Sequence, residues 1–245
     1  MIKRVFKKFF KKKSVQPSVV VKPKKNLSEG RIVEFIGPSG IGKTTLYNTI
    51  IKELTSNWIN AKNFKEHEYG TANEELFAIH WKLLKYKLER VDSFNLGSLE
   101  KINLVQYFKQ VLLENIKMIN VKGKSGYLLE EGLCHNFSIE LLNLNEKELK
   151  AVLGNRYIIS VLPKDTKTVV NQIRKRTVEG GHTVAHHKNL NDEELEEYCK
   201  ISTKAFEKFT NHIQKFNFPL CTLYVEDGIE FNSNKIIDFE KAMFK

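Results

Sequence analysis

From residue 31 onward, short apolar runs alternate with longer stretches in which apolar residues recur at helical spacing. The run 31–37 (RIVEFIG) is a buried strand ending in glycine, and a helical stretch follows over about 43–54. Residues 56–72 fit no single period, although 58–61 read as a short strand. Helical patterns then occupy 74–91 and 99–120, the second leading into a strand at 126–130 (GYLLE). A further strand at 156–162 (RYIISVL) precedes a helix over 165–177. Asn191 with Glu194 three positions later spells a capping box that opens a helix over 192–215. The chain closes with a strand at 219–225 (PLCTLYV) and a helix at 233–244. Strands of five to seven residues separated by helices predict βαβ units. The fold class is therefore α/β, a parallel sheet of about five strands with helices on both faces.

The first thirty residues follow a different pattern. Ile2, Val5, Phe6, Phe9 and Phe10 fall at i, i+3, i+4, i+7 and i+8, one stripe of a helix, and the seven basic residues of 1–13 all lie off it. Residues 14–30 hold two prolines, a lysine cluster and no helical period, so they read as a linker. This gives three parts: a basic amphipathic helix at 1–13, a linker at 14–30 and a folded unit at 31–245. Such a helix is suited to an anionic membrane surface, with phenylalanines entering the headgroup boundary and lysines snorkelling around them.

Charge sharpens that division. The net charge of +11 suggests nucleic acid until it is located along the chain. Ten of the 40 basic residues lie in 1–25, which holds no acid, so the remainder carries 30 bases against 29 acids. A neutral body offers no basic groove, which argues against nucleic acid as a partner. With 41% hydrophobic and 28% charged residues, the composition excludes bulk disorder. No run of 18 apolar residues exists, and no apolar core of a secretory signal precedes the body. The arm is also lysine-rich and serine-poor, unlike a mitochondrial presequence. Cys134, Cys199 and Cys221 are too few and too scattered for a disulfide framework or a zinc ribbon, and read as buried thiols. The expected location is cytoplasmic, with the arm resting on the inner membrane face.

The chemistry is concentrated at residues 37–44, GPSGIGKT, a full G-x-x-x-x-G-K-[ST] Walker A pattern placed between an apolar strand and a helix. Gly37, Pro38, Ser39, Gly40, Ile41 and Gly42 form a loop whose backbone N–H groups can wrap a phosphate. The helix starting near Lys43 aims its unsatisfied N–H groups and positive dipole end at the same anion. Lys43 reaches the β/γ-phosphates, Thr44 holds Mg²⁺, and the binding segment runs on through Thr45. The expected ligands are ATP and Mg²⁺. An ABC-type ATPase needs an LSGGQ-like signature, which is missing. A GTPase needs N-K-x-D and D-x-x-G; Asn234-Lys235 lacks the Asp, and no Asp has Gly three residues later.

With its second strand-end acid pair, Leu128-Leu129-Glu130-Glu131-Gly132, the chain resembles the nucleoside/nucleotide kinase group of P-loop phosphotransferases. The resemblance implies a P-loop kinase fold with a helical acceptor region and a lid. It also implies transfer of the γ-phosphoryl of Mg-ATP to a small-molecule acceptor: a nucleotide, nucleoside or sugar. An acid at a strand's C-terminal end faces the ligand crevice, where it orients metal-bound water or takes a hydroxyl proton. By resemblance to Asp-Gly and Glu-Gly variants, Glu131 is the first choice for catalysis and metal binding, and Glu130 the second. The helix at 165–177 carries Arg174 and Arg176 ahead of a Gly/His-rich loop, and the resemblance makes these the lid arginines. Two positions apart on a helix they point to opposite faces, so a single one serves. His182, His186 and His187 in that loop form a polar loop before they form a zinc site, having no Cys or carboxylate beside them. The resemblance places the acceptor within 56–120, whose Phe77, Trp81, Leu84 and Leu88 fall at helical spacing and are expected in the core. A second reading of a different class is a P-loop NTPase switch whose hydrolysis controls a partner.

Overall fold

The computed structural model describes residues 31–53, 58–60, 74–120, 126–180, 187 and 190–244. The amphipathic arm and linker expected at 1–30, and the candidate zinc histidines His182 and His186, lie outside them. Five strands form one parallel sheet: β1 (Arg31–Ile36), β2 (Trp58–Asn60), β3 (Gly126–Leu129), β4 (Arg156–Leu162) and β5 (Leu220–Tyr224), in the order β2-β3-β1-β4-β5. The helices are α1 (Lys43–Glu53), α2 (Glu74–Asp92), α3 (Ser98–Asn120), α4 (Leu133–Asn136), α5 (Glu146–Leu153), α6 (Thr166–Val178), α7 (Asp192–Gln214) and α8 (Ile229–Phe244). Each strand expected from the sequence is present.

β4 is buried along all seven residues, which is why its apolar residues do not alternate with exposed polar ones; only Arg156 and Ser160 interrupt the apolar run. The central strand β1 divides its side chains between two cores. Val33 and Phe35 join Leu46, Tyr47 and Ile50 of α1 and Val169, Val170 and Ile173 of α6 on one face. Ile36 meets Leu76, Ile79 and Leu83 of α2, Val152 and Leu153 of α5 and Phe209 of α7 on the other. Each such aliphatic or aromatic side chain contributes about 1.5–3 kcal/mol on burial, so both helical layers are held by apolar area. The capping box expected at Asn191 and Glu194 opens α7, reciprocal in both hydrogen bonds.

Two expectations need correction. α4, α5 and a short 3₁₀ segment (Glu140–Asn143) fill the stretch between β3 and β4, where the pattern gave none. α5 carries its own capping box, Asn145 with Glu148. Moreover, α2 does not turn Phe77 and Trp81 inward: they are 37% and 55% exposed, while Leu76, Ile79, His80, Leu83 and Lys87 form the buried stripe. Both stripes have helical period; the inner one admits a histidine and a lysine because each finds polar partners. The three cysteines are free and buried, as expected. Among the described residues no helix is long and apolar enough to cross a membrane.

Candidate active site

β1 and β3 are adjacent and parallel, so the loop after the first and the acids after the second lie side by side at the same edge of the sheet. The loop turns tightly away from β1. Gly37 sits at φ 143°, and a Cβ there would come within 2.1 Å of the Val161 carbonyl oxygen on β4, so only glycine fits. α1 then begins at Lys43, with Leu46 N–H bonded back to the Gly42 carbonyl. The Tyr47 hydroxyl donates to the Leu128 carbonyl at 3.2 Å, pinning α1 to the strand that carries the acids. Burial, with Glu130 adding to it, pushes that phenol up to about 12, so it remains a donor.

Lys43 is 4% exposed. Its ammonium donates to the carbonyls of Gly37 and Pro38 at 2.9 Å each, and pairs with Glu131 Oε1 at 3.2 Å. Burial lowers its pKa, and Glu131 works against that shift. Thr44 donates its hydroxyl to Glu130 Oε1. The two acids are thus sorted. Glu130 faces the threonine, whereas Glu131, expected to share the metal with Thr44, faces the lysine instead. Glu131 also lies 3.4 Å from Nε2 of His135, one helical turn on and stacked on Phe206 at 5.3 Å between ring centres. Burial, with the Lys43 and Lys87 charges adding to it, holds His135 well below the ordinary imidazole range and therefore neutral.

A cavity of about 210 Å³ opens over these groups, and Arg176 and His187 line it together with Ser39, Gly40, Lys43, Thr44, Glu130 and Glu131. Arg174 is not brought to it. Its Nε donates to Asp192 at 2.7 Å and its Nη2 to the Leu190 carbonyl at 2.6 Å, tying α6 to the start of α7. The two-residue spacing therefore separates the arginines, one to the cavity and one to packing. His187 is buried, edge-on to Tyr198 at 5.1 Å. Among the described residues no three His, Cys, Asp or Glu converge as a metal cage. The site does bring together a hydroxyl and two carboxylates, hard oxygen donors of the kind Mg²⁺ takes alongside phosphate oxygens.

Two residues at the site were missed from sequence. His135 carried a readable signal, the i, i+4 step from Glu131. Glu34 carried a plainer one, a lone charge inside an apolar strand.

No family model matches the chain, and no curated protein matches it in sequence. Among solved structures it is similar to the deoxyadenosine kinase of M. mycoides with bound dCTP, at 16% identity and a TM-score of 0.47, over 86% of this chain and 99% of that one. The same kinase with bound dATP gives 17% identity and a TM-score of 0.47, over 86% and 99%. The shikimate kinase of Bacteroides thetaiotaomicron gives 10% and 0.46, over 86% and 98%. Identities this low concern the course of the chain alone. By its own strand order and glycine loop, the chain has an α/β fold, a five-stranded parallel sheet with a Walker A loop following its central strand.

Proposed function

We propose that the protein transfers the γ-phosphoryl group of ATP to a small-molecule acceptor bearing a hydroxyl or phosphate. The observation that carries this reading is the sorting of the two strand-end acids, one against the Walker threonine and one against the Walker lysine. The cavity is smaller than the ~300–1,000 Å³ of sites that enclose a whole ligand, so these residues enclose the phosphate end of a nucleotide. Thr44 and Glu130 are the residues that would hold Mg²⁺, which, when bound, neutralises charge on the β- and γ-phosphoryl oxygens. The glycine-loop amides and Lys43 bind the phosphates. As Lys43 turns to the phosphates it releases Glu131, whose carboxylate is then placed to take the acceptor's hydroxyl proton. Neutral His135 beside Glu131 orients that carboxylate without competing for a proton. Arg176 brings a guanidinium to the far side of the transferring group, where it strengthens charge stabilisation as water is excluded.

The test is a labelled-ATP assay against pooled metabolites, with mass spectrometry of whatever gains a phosphate. Labelled product that requires Glu131 supports the reading; steady ATP hydrolysis indifferent to every pool supports the NTPase switch instead. The stripe and lysines of 1–13 support a further part of the proposal, reversible tethering to an anionic membrane. Flotation with acidic but not neutral vesicles, lost when Phe6, Phe9 and Phe10 become Ser, is the expected outcome. Binding indifferent to lipid charge removes this part.

A further inference from the structure

A fully buried acid, Glu34, lies on the central strand beneath the site. Its Oε1 accepts the backbone N–H groups of Gly132 at 3.0 Å and His135 at 2.9 Å. Those are the first residue before α4 and the third within it. Gly132 has no side chain to cap the helix, so the carboxylate of another strand does the capping. Gly132 also lets the loop come close: a Cβ there would sit 3.0 Å from the Glu34 carboxyl carbon and 2.9 Å from Leu129 Cδ2.

The other oxygen, Oε2, accepts from Nη1 of Arg156 on β4, and Arg156 Nη2 donates to Asn115 Oδ1 on α3. Asn115 Nδ2 lies 3.0 Å from the Val152 carbonyl and 2.9 Å from Nε2 of His80, whose Nδ1 is 2.8 Å from the Leu76 carbonyl. A carbonyl can only accept, so Nδ1 carries the ring proton and Nε2 accepts from Asn115. The direction of each of these bonds is then fixed, from α2 through α3, β4 and β1 to the loop after β3.

A buried ion pair is poor cement, because apolar residues of similar volume hold a core as well or better. What apolar residues cannot do is accept two loop N–H groups. We propose that Glu34, held by Arg156, is the positioning residue of this site: it fixes the turn at Gly132–His135, and so sets Glu130 against Thr44 and Glu131 against Lys43. The inference rests on the proposed function for its consequence, but not for its geometry.

The test compares two double variants, Glu34→Gln/Arg156→Met and Glu34→Leu/Arg156→Met. Both remove the charge pair and both leave Asn115 without its arginine donor; only the first keeps an oxygen for the loop amides. Amide hydrogen exchange by NMR is read at Gly132 and His135, together with the gain in ATP affinity that Mg²⁺ brings. In the leucine variant both amides should exchange at least about tenfold faster than in the glutamine variant, since one net hydrogen bond is worth about that factor. Amides of β4 should exchange alike in the two. The Mg²⁺-dependent gain should fall about tenfold in the leucine variant and return to within about threefold of wild type in the glutamine variant, one charge-assisted contact being worth at least that much. Equal exchange in the two variants overturns the inference whatever the protein phosphorylates; unequal exchange with an equal Mg²⁺ gain overturns instead the proposed metal role of Glu130. Should the leucine variant not fold, wild-type exchange decides: the Gly132 and His135 amides must be as protected as those of β1, and loop-like exchange there overturns the proposal.

Discussion

Glu131→Gln should make the protein bind ATP more tightly while transferring its phosphate more slowly. In the structure Glu131 lies 3.2 Å from the Lys43 ammonium, the same group that must face the β/γ-phosphates. A nucleotide has to displace that carboxylate and then tolerate its negative charge nearby. At 3.2 Å the pair is worth about 1 kcal/mol at the dielectric of water and about 5 kcal/mol at an effective value of 20. The lysine is 4% exposed but the glutamate 40%, which pulls the figure toward the lower end. A gain of about 1–2 kcal/mol corresponds to roughly five- to thirtyfold in affinity.

Isothermal titration with Mg²⁺-free ATP isolates this effect, because Glu130 and the metal are then out of the comparison. In a Lys43→Ala background the gain from Glu131→Gln should shrink, leaving only bare repulsion, and that non-additivity measures the coupling. Turnover should fall by about 10²-fold or more if Glu131 takes the acceptor proton. Unchanged or weaker ATP binding by Glu131→Gln would refute the competition argument. Unchanged turnover would move the catalytic role elsewhere.

Lys43→Ala should keep the circular dichroism of the wild type yet lose phosphotransfer by about 10²-fold or more; retained turnover above about a tenth removes Lys43 as the phosphate lysine. Arg176→Ala should lower turnover about tenfold or more, whereas Arg174→Ala should cost only about 0.2–1 kcal/mol in thermal unfolding, as befits a half-exposed tie between α6 and α7. The reverse pattern would reassign the pair. Lys87 on α2, 3% exposed between Glu140 and the rings of Phe108 and Phe137, has its pKa lowered by burial to about 8. The unfolded chain then binds more protons than the folded one between about pH 8 and 10.5, so this group makes stability rise with pH across that window. Urea unfolding of the wild type against Lys87→Met checks it, and equal slopes in the two would contradict the lowered pKa.

Local signals and long-range ones had different fates in this chain. The strands and the loop were legible because each writes its requirement into a few consecutive residues: β4 is mostly apolar since both its faces are covered, and GPSGIGKT needs its glycines where β1 turns under β4. Asn191 and Glu194 are legible for the same reason, a helix start being a four-residue event. Asn145 and Glu148 carry the same signal and went unread, since the stretch between β3 and β4 shows no long helical period to announce a start. What no window holds is the pairing of acids with their partners. Glu130 and Thr44 are 86 positions apart, and Glu34 and Gly132 are 98 apart.

That limit explains both the misplaced stripe of α2 and why the partners of the two acids could not be read from sequence. His80 and Lys87 are inside because Asn115 and the Asn136 carbonyl, on other elements, satisfy them, and no period-based reading of α2 knows those partners exist. Likewise Glu130 and Glu131 are neighbours in sequence whose side chains diverge at a strand end, one to each Walker residue. Which goes where is settled by how the turn at Gly132 is held, and the carboxylate of Glu34 holds it. The lone acid in RIVEFI was therefore a visible trace of the site's internal support. A charge persists in a buried strand only where its partners satisfy it, and here those partners are Arg156 and the backbone of the loop that carries the acids.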